Sequence, residues 1–471
     1  MTTEAPASVV MDQFTTTEAG ASVLHGFQRM KKRHLITSLL SLTMAVALAQ
    51  TPASYKFDFG SGKVAKGYTP VLPATQYTKE LGYGLTKEAQ LTAVDRGGRN
   101  ALTDDYCTSD KPFYFTVDVP EGNYDVTVTL GDRGGESATM VRAESRRLMT
   151  GQIVTKAGQF ETRTFTVNVR TPKINDQQRV RLKPRELGYL NWDNQLTLEF
   201  NGPNTKVCAV ELNRNDKATT IFLAGNSTVV DQDREPWAAW GQMIPRFFKA
   251  GKVAVANHAE SGEALKSFVS EKRLEKIVSL MKPGDYLFVE FAHNDQKQGS
   301  AHVDPFTTYK EQLKLYIGEA RRKGGIPVLV TSMHRRSFDS TGHITNTLGD
   351  YPEAMRQTAR EENVALIDLN AMSKVLYESW GPEMSLKAFV HYPANSFSGQ
   401  TEALKDNTHF STYGAYEIAR CIAEGIRANV PELARSLLTD LGTFNPARPD
   451  PLATWNWPLS PMITAVKPDG N

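Results

Sequence analysis

Past residue 217 the hydrophobic pattern of this chain changes period, and that change limits its possible folds more than any other feature. Short apolar runs at Thr220–Ala224, Val253–Asn257, Tyr286–Phe291, Ile326–Ser332 and Val364–Asp368 alternate with stretches whose apolar residues fall at helical spacing. Continuous apolar runs suit strands buried on both faces, as a parallel sheet demands, because its crossover helices cover both sides. The stretches between supply those helices. Pro236 to Phe248 places Trp237, Trp240, Ile244, Phe247 and Phe248 on a face that reads as core. Ser270 is the expected N-cap ahead of Leu274, Ile277, Val278 and Met281. Pro305 to Lys323 carries Tyr309, Leu313, Ile317 and Ala320, and a last helix from about Thr412 to Ala428 follows Ser411. Five strands with intervening helices predict a doubly wound, flavodoxin-like parallel sheet in an α/β/α sandwich over residues 217–440.

Before residue 213 the pattern is different. Tyr55-Lys56-Phe57-Asp58-Phe59 alternates into Gly60-Ser61-Gly62. Phe113 to Val119 runs through Pro120-Glu121-Gly122-Asn123 into Tyr124 to Leu130, and further strands are expected at Gly158–Val169, Gln195–Phe200 and Lys206–Leu212. Short alternating strands with Gly, Asn, Asp and Pro turns predict a β-sandwich over residues 51–213. Asn213-Arg214-Asn215-Asp216-Lys217 is the polar connector between the two domains. Residues 441–471 are proline-rich and without period, so they read as a wrapping tail.

The N-terminus reads as an export signal. The basic cluster Arg29-Met30-Lys31-Lys32-Arg33-His34 precedes an apolar run from Leu35 to Leu48, and Ala47-Leu48-Ala49 offers small residues for cleavage. The expected signal peptide is 30–49, with 1–29 an extension of uncertain role, and the mature protein is expected to be periplasmic or extracellular. The apolar run is too short for a comfortable membrane span, and a net charge of +2 points away from nucleic acid and anionic membranes. Export permits disulfides. Cys107 and Cys208 fall in one domain, and their pairing stays open; Cys421 sits on an apolar helical face. The nine histidines show no Cys/His ligand spacing, so no metal site is apparent.

Three polar loops leave the first three parallel strands, and a fourth precedes the last helix. Gly225-Asn226-Ser227-Thr228 follows the first strand, where open α/β sheets place their ligands. Asn257-His258-Ala259-Glu260-Ser261-Gly262-Glu263 follows the second, and Ala292-His293-Asn294-Asp295 the third. Asp406-Asn407-Thr408-His409 comes last; an acid three residues before a histidine can fold back onto Nδ1 and leave Nε2 for a serine proton. Singly, these are turns, caps and a common dipolar pair. Their shared sheet edge turns them into a candidate site.

This ordered set resembles the SGNH (GDSL-type) hydrolase family, and within it carbohydrate esterases of the rhamnogalacturonan acetylesterase type. The resemblance is carried by Gly225-Asn226-Ser227-Thr228-Val229, His293-Asn294-Asp295 and Asp406-Asn407-Thr408-His409-Phe410, over roughly residues 219 to 430. The sandwich resembles the galactose-binding-like jelly rolls of sugar-active enzymes through its Phe-Asp-Phe-Gly start and its Val-Pro-Glu-Gly-Asn-Tyr turn. The resemblance implies Ser227 as nucleophile, His409 as general base, Asp406 as its orienter, and an oxyanion hole from the Ser227 and Gly262 N–H groups and the Asn294 side chain. It further implies acetyl esters of plant cell-wall pectin, rhamnogalacturonan in particular, as substrate, and a mechanism that needs no metal or organic cofactor. Arg335 and Arg336 after the fourth strand are candidates for galacturonate carboxylates. Two positions depart from the family pattern. Asn226 stands where Asp is usual and Ala292 where Gly is usual. Two other readings stay open: a carbohydrate-binding protein with an inactive hydrolase domain, and a lipase or thioesterase acting on acyl chains.

Overall fold

The computed structural model describes residues 54–86 and 90–469. The expected extension 1–29 and signal peptide 30–49 therefore lie outside the described residues. The described residues belong to one compact unit.

The sandwich is organised around a single long strand, Gln195–Arg214, of 20 residues. Its first part pairs antiparallel with Phe113–Asp118 and Ser137–Ala143; its second pairs antiparallel with Ser54–Phe59 and Gly122–Gly131. The two strands expected here, 195–200 and 206–212, are thus one. Register shifts between Asn201 and Asn204 and between Val207 and Ala209 let it bend from one sheet into the other. Between the sheets lie Phe57, Phe59, Phe115, Val128, Leu198 and Phe200.

All three cysteines are buried and unpaired. Cys107 lies opposite Val207 across the strands, and Cys208 falls at the register shift between Val207 and Ala209. Their thiols donate to the carbonyls of Val71 and Gly131 at 3.6 and 3.4 Å. The disulfide left open by the sequence does not form.

Asn215 caps the connector, its side-chain oxygen accepting from the N–H groups of Lys217 and Ala218. Then come five parallel strands: Thr219–Gly225, Val253–Asn257, Tyr286–Glu290, Ile326–Val330 and Ala365–Ile367. Their spatial order is second, first, third, fourth, fifth, which puts the first and third strands side by side. Alternation splits each strand between two cores. Ile221 and Leu223 pack with Val255, Phe288 and Val330 on one face; Phe222 and Ala224 pack with Ala256, Leu287 and Leu329 on the other. Ile418, Ile422 and Ile426 of the helix Thr412–Asn429 cover the first face, and Ile277, Leu313 and Ile317 from two other helices cover the second. Ser411 caps the last helix, accepting from the Gly414 N–H.

Two helical expectations need correction. Ser270 ends the helix Leu265–Ser270, and the following helix, Arg273–Leu280, starts after Lys272 in a left-handed conformation. From 236 to 248 only Trp240–Met243 is α-helical, because Pro245 cannot donate and the chain tightens into a 3-10 turn over Ile244–Phe247. Trp240, Ile244, Phe247 and Phe248 still pack as core, whereas Trp237 stays outside that cluster.

The two domains interlock through charge. Glu144, Ser145, Arg146 and Arg147 of the sandwich are all buried. Arg146 pairs with Glu235 at 2.5 Å and Arg147 with Asp231 at 2.6 Å. Removing one partner of a buried pair costs about 3–5 kcal/mol by stranding the other charge, so these pairs specify how the domains dock. The tail joins them: Ser460 is buried against Glu199 and Arg142, and Trp457 lies under the Arg142 guanidinium.

Candidate active site

The first strand ends at Gly225, where a Cβ would come within 2.5 Å of the Val229 side chain; only glycine lets the chain turn there. The Asn226 carbonyl then accepts from the Val229 and Val230 N–H groups, both at 3.0 Å. The Asn226 side-chain oxygen accepts from the Thr228 N–H at 3.0 Å and lies 2.9 Å from its hydroxyl. Gln232 Nε2 holds the Ser227 carbonyl at 2.9 Å. The Ser227 N–H itself donates to no acceptor among the described residues.

Beneath this turn lies Glu290, the last residue of the neighbouring strand. Its carboxyl accepts from Trp240 Nε1 at 2.6 Å and meets Thr228 Oγ1 at 2.9 Å. Burial pushes its pKa up to about 7, hydrogen bonds from Trp240, Thr228 and Ser332 offsetting only part of the rise. A protonated Glu290 can donate to Thr228 Oγ1, whose own proton then goes to Asn226.

The strand Leu404–Phe410, which pairs antiparallel with Phe389–Tyr392 and leads into the helix Thr412–Asn429, brings the other two groups where the sequence suggests a loop. His409 Nε2 lies 2.8 Å from Ser227 Oγ, and His409 Nδ1 lies 2.8 Å from Asp406 Oδ2. Asp406 Oδ1 also accepts from the N–H groups of Thr408 and His409, at 2.7 and 2.9 Å. Burial alone would raise the Asp406 carboxyl, but the His409 side chain and these two N–H groups outweigh it and hold it well below its ordinary range. An ionised carboxylate only accepts, so Nδ1 carries the imidazole proton and Nε2 is free to take one from the serine. Trp237 stands edge-on to the imidazole, ring centroids 5.7 Å apart.

The loops after the second and third strands are tied together beside the serine. Asn294 Nδ2 donates to the Glu263 carbonyl at 2.9 Å, which leaves its second proton unused, and Asp295 Oδ1 accepts from the Leu265 N–H at 2.8 Å. Gly262 has φ +85°, a conformation that side chains rarely adopt, and its N–H finds no acceptor among the described residues. His293 is buried and pushed well below its ordinary pKa, first by desolvation and then by cations around it, so it is neutral. The Ala292 methyl packs into the helix-covered core with Phe291.

A cleft of about 270 Å³ borders these groups, lined by Gln232, Arg234, Trp237 and Ser261, by Arg185 and Tyr189 from the sandwich, and by Thr464 to Asp469 of the tail. Lys467 comes within 3.4 Å of Asp406. Arg335 and Arg336 do not line it. Arg335 braces the His293 and Thr347 carbonyls, while Arg336 donates to Ser385, Asn407 and Pro382. Sequence reasoning read Trp237 as core, whereas it faces His409 and the cleft, and it passed over Glu290, Lys467 and the sandwich residues. The one available signal was Glu290 itself, an acid closing an otherwise apolar strand.

Comparison with known proteins bears on both domains. Residues 55–176 match the beta-agarase/YXIM esterase-like, galactose-binding domain-like model, and residues 223–415 match the GDSL-like lipase/acylhydrolase family. Rhamnogalacturonan acetylesterase RhgT of Bacillus subtilis is 46% identical over 212 residues, 45% of this chain and 90% of that protein. The uncharacterized esterase YxiM of the same organism is 28% identical over 351 residues, 73% of this chain and 86% of its own. The solved structure of YxiM aligns over 80% of this chain and 98% of that one, at 26% identity and a TM-score of 0.42.

Proposed function

The chain belongs to the GDSL-like lipase/acylhydrolase family, and on that premise we propose that it removes acetyl groups from rhamnogalacturonan-type pectic polysaccharide through an acetyl-serine intermediate. The observation that carries the chemistry is the unbroken chain Asp406–His409–Ser227, each link 2.8 Å. His409 Nε2 takes the Ser227 proton as Oγ attacks the acetyl carbonyl, and Asp406 holds the imidazolium that forms. The tetrahedral oxyanion meets the unused N–H groups of Ser227 and Gly262 and the second Asn294 amide proton. His409 returns its proton to the sugar oxygen as the bond breaks, then activates water to release acetate. An intact hydrogen-bonded chain favours an active esterase over an inactive carbohydrate binder. The hydrogen-bonding side chains along the cleft, among them Arg185, Gln232, Arg234 and Lys467, beside the flat rings of Tyr189 and Trp237, favour sugar over long acyl chains.

The substrate class follows RhgT, whose name gives rhamnogalacturonan and which is similar over 90% of its own length. Export rests on the basic and apolar segment 29–49 and places the enzyme where such polymers are met. Acetate release from acetylated rhamnogalacturonan, compared with hydrolysis of long-chain esters, tests the substrate. Wild-type protein is expected to release acetate and to be labelled by a fluorophosphonate, and Ser227→Ala to do neither. Preference for long-chain esters would instead make it a lipase.

A further inference from the structure

Ser261 C=O and Gly262 N–H are the two ends of one planar peptide unit. The carbonyl end is gripped by two cations of the other domain: Lys183 Nζ donates to it at 2.7 Å and Arg185 Nη2 at 2.8 Å. The same side chains hold the residues on either flank. Arg185 Nε and Nη2 reach Glu260 Oε1 at 3.0 and 2.7 Å, and Lys183 Nζ lies 2.5 Å from Glu263 Oε1. The turn that carries them is itself anchored. Glu186 accepts from both Arg273 terminal nitrogens at 3.0 and 2.5 Å, from Trp192 Nε1 at 3.1 Å and from the Lys183 N–H at 2.8 Å. A continuous bonded path thus runs from a helix of the parallel-sheet domain, through the sandwich turn, to the Ser261–Gly262 peptide.

Two physical effects follow. With its carbonyl held at two points the peptide plane cannot rotate, so the Gly262 N–H keeps one direction. Hydrogen bonds to the carbonyl also draw charge off the amide nitrogen, and linked bonds strengthen one another by about 10–30% each. We infer that Lys183 and Arg185 are positioning residues for ester hydrolysis, aiming and polarising the Gly262 N–H that meets the oxyanion. The inference rests on the role given to Gly262 in the proposed function. It makes the galactose-binding-like domain a working part of the catalytic centre, whether or not it also holds sugar.

The test uses the full chain with 4-nitrophenyl acetate and a fluorophosphonate probe, on Lys183→Met, Arg185→Met and Arg185→Lys. Misplaced catalytic groups cost on the order of 10² in rate and a lost oxyanion donor about 10²–10³. Each Met variant is therefore expected to lower kcat by about 10-fold to 100-fold with KM within about twofold. Phosphonylation should slow by the same factor, because the phosphoryl oxygen occupies the same hole, and Arg185→Lys should recover part of the loss. Should Arg185→Met be insoluble, Lys183→Met and Arg185→Lys carry the test. Folded variants with kcat within twofold of wild type would overturn the inference, as would losses matched by the fraction of titratable active sites. If wild type and Ser227→Ala hydrolyse alike, the serine-esterase reading has failed and the clamp falls with it. A dead Ser227→Ala beside fully active clamp variants sinks the clamp alone.

Discussion

The serine turn and the Gly262 loop stand side by side at one sheet edge, yet they are held in opposite ways. Around Ser227 the direct partners are neutral and come from the same domain: Gln232, Thr228, Asn226 and, through Thr228, Glu290. The sandwich touches that turn only at one remove, Arg146 holding the Gln232 carbonyl at 3.0 Å. Around Gly262 the direct partners are cations of the sandwich. The His409 strand is more self-sufficient still, since Asp406 takes all three of its nearest donors from residues within three positions. Groups that pass protons are thus fixed locally, as is the Ser227 N–H on the same turn, while the Gly262 N–H that also meets developing charge is fixed from outside. Behind the Gly262 peptide the positive charge of Lys183 and Arg185 acts through the Ser261 carbonyl.

Asp406→Asn strikes the local side hardest. The amide oxygen can still accept from the Thr408 and His409 N–H groups, so the loop should keep its shape. The wrong His409 tautomer would cut kcat by about 10⁴-fold. Because this loss needs nothing from the sandwich, it should multiply with that of Arg185→Met in the double variant. Steady-state kinetics of the four proteins decide it; a double variant no worse than Asp406→Asn would mean that the two sides are not independent. Asn294→Ala belongs to the other side. It removes an oxyanion donor and the tie to the Glu263 carbonyl, with an expected loss of about 10²–10³ in kcat. Combined with Arg185→Met it should lose less than the product of the two, since both act on one loop.

What the sequence made legible follows the same division. The five parallel strands, the Ser411 cap and the three polar loops after the first three strands were readable because each rests on local periodicity, on the strand end it follows or on a cap; the Asp406–His409 segment, read as a loop, is part of the strand Leu404–Phe410, whose polar residues hide its period. The long strand 195–214 was read as two, since Gly202 and Pro203 look like a turn where the strand instead bends between sheets. The clamp was beyond reach for a different reason. Lys183 and Arg185 meet partners 75 to 80 residues away, and a Lys-Pro-Arg-Glu run reads as a solvated turn. Glu144 to Arg147 look equally exposed in sequence and are fully buried. Charges that pair across domains carry no periodic signal. Arg335 and Arg336 erred the other way: exposed-looking cations beside the site, they hold backbone carbonyls and side-chain oxygens of the loops around it.

Glu290 sharpens the neutral side of the comparison. With its folded pKa near 7 against an ordinary 4.5, the folded state binds a proton that the unfolded state releases. Its favourable contribution is therefore complete below about pH 4.5 and is lost as pH rises through 7. Over that window the wild type should lose about 3 kcal/mol of stability that Glu290→Gln does not lose. Thermal or urea unfolding of both proteins from pH 4.5 to 8 measures it. A constant difference across that range would mean that Glu290 is ionised throughout and the serine turn is not neutral after all.

Asn226→Asp is the smallest effect and bears on the residue by which this chain departs from its relatives. Thr228 has one hydroxyl proton and two neighbours, Asn226 Oδ1 and Glu290 Oε1, each 2.9 Å away. While Glu290 is protonated, an aspartate at 226 can still take that proton and the turn is undisturbed. Once Glu290 ionises, two carboxylates compete for it, so Asn226→Asp should raise the Glu290 pKa by about one unit, a penalty that grows through about pH 8 to about 1.4 kcal/mol beyond it. Below pH 6 its unfolding free energy should match the wild type. The penalty at high pH should vanish in Asn226→Asp combined with Glu290→Gln, whose amide can donate to Thr228 at every pH. If the penalty persists in the double variant, the cost of the charge lies in its burial at 226 and not in its quarrel with Glu290.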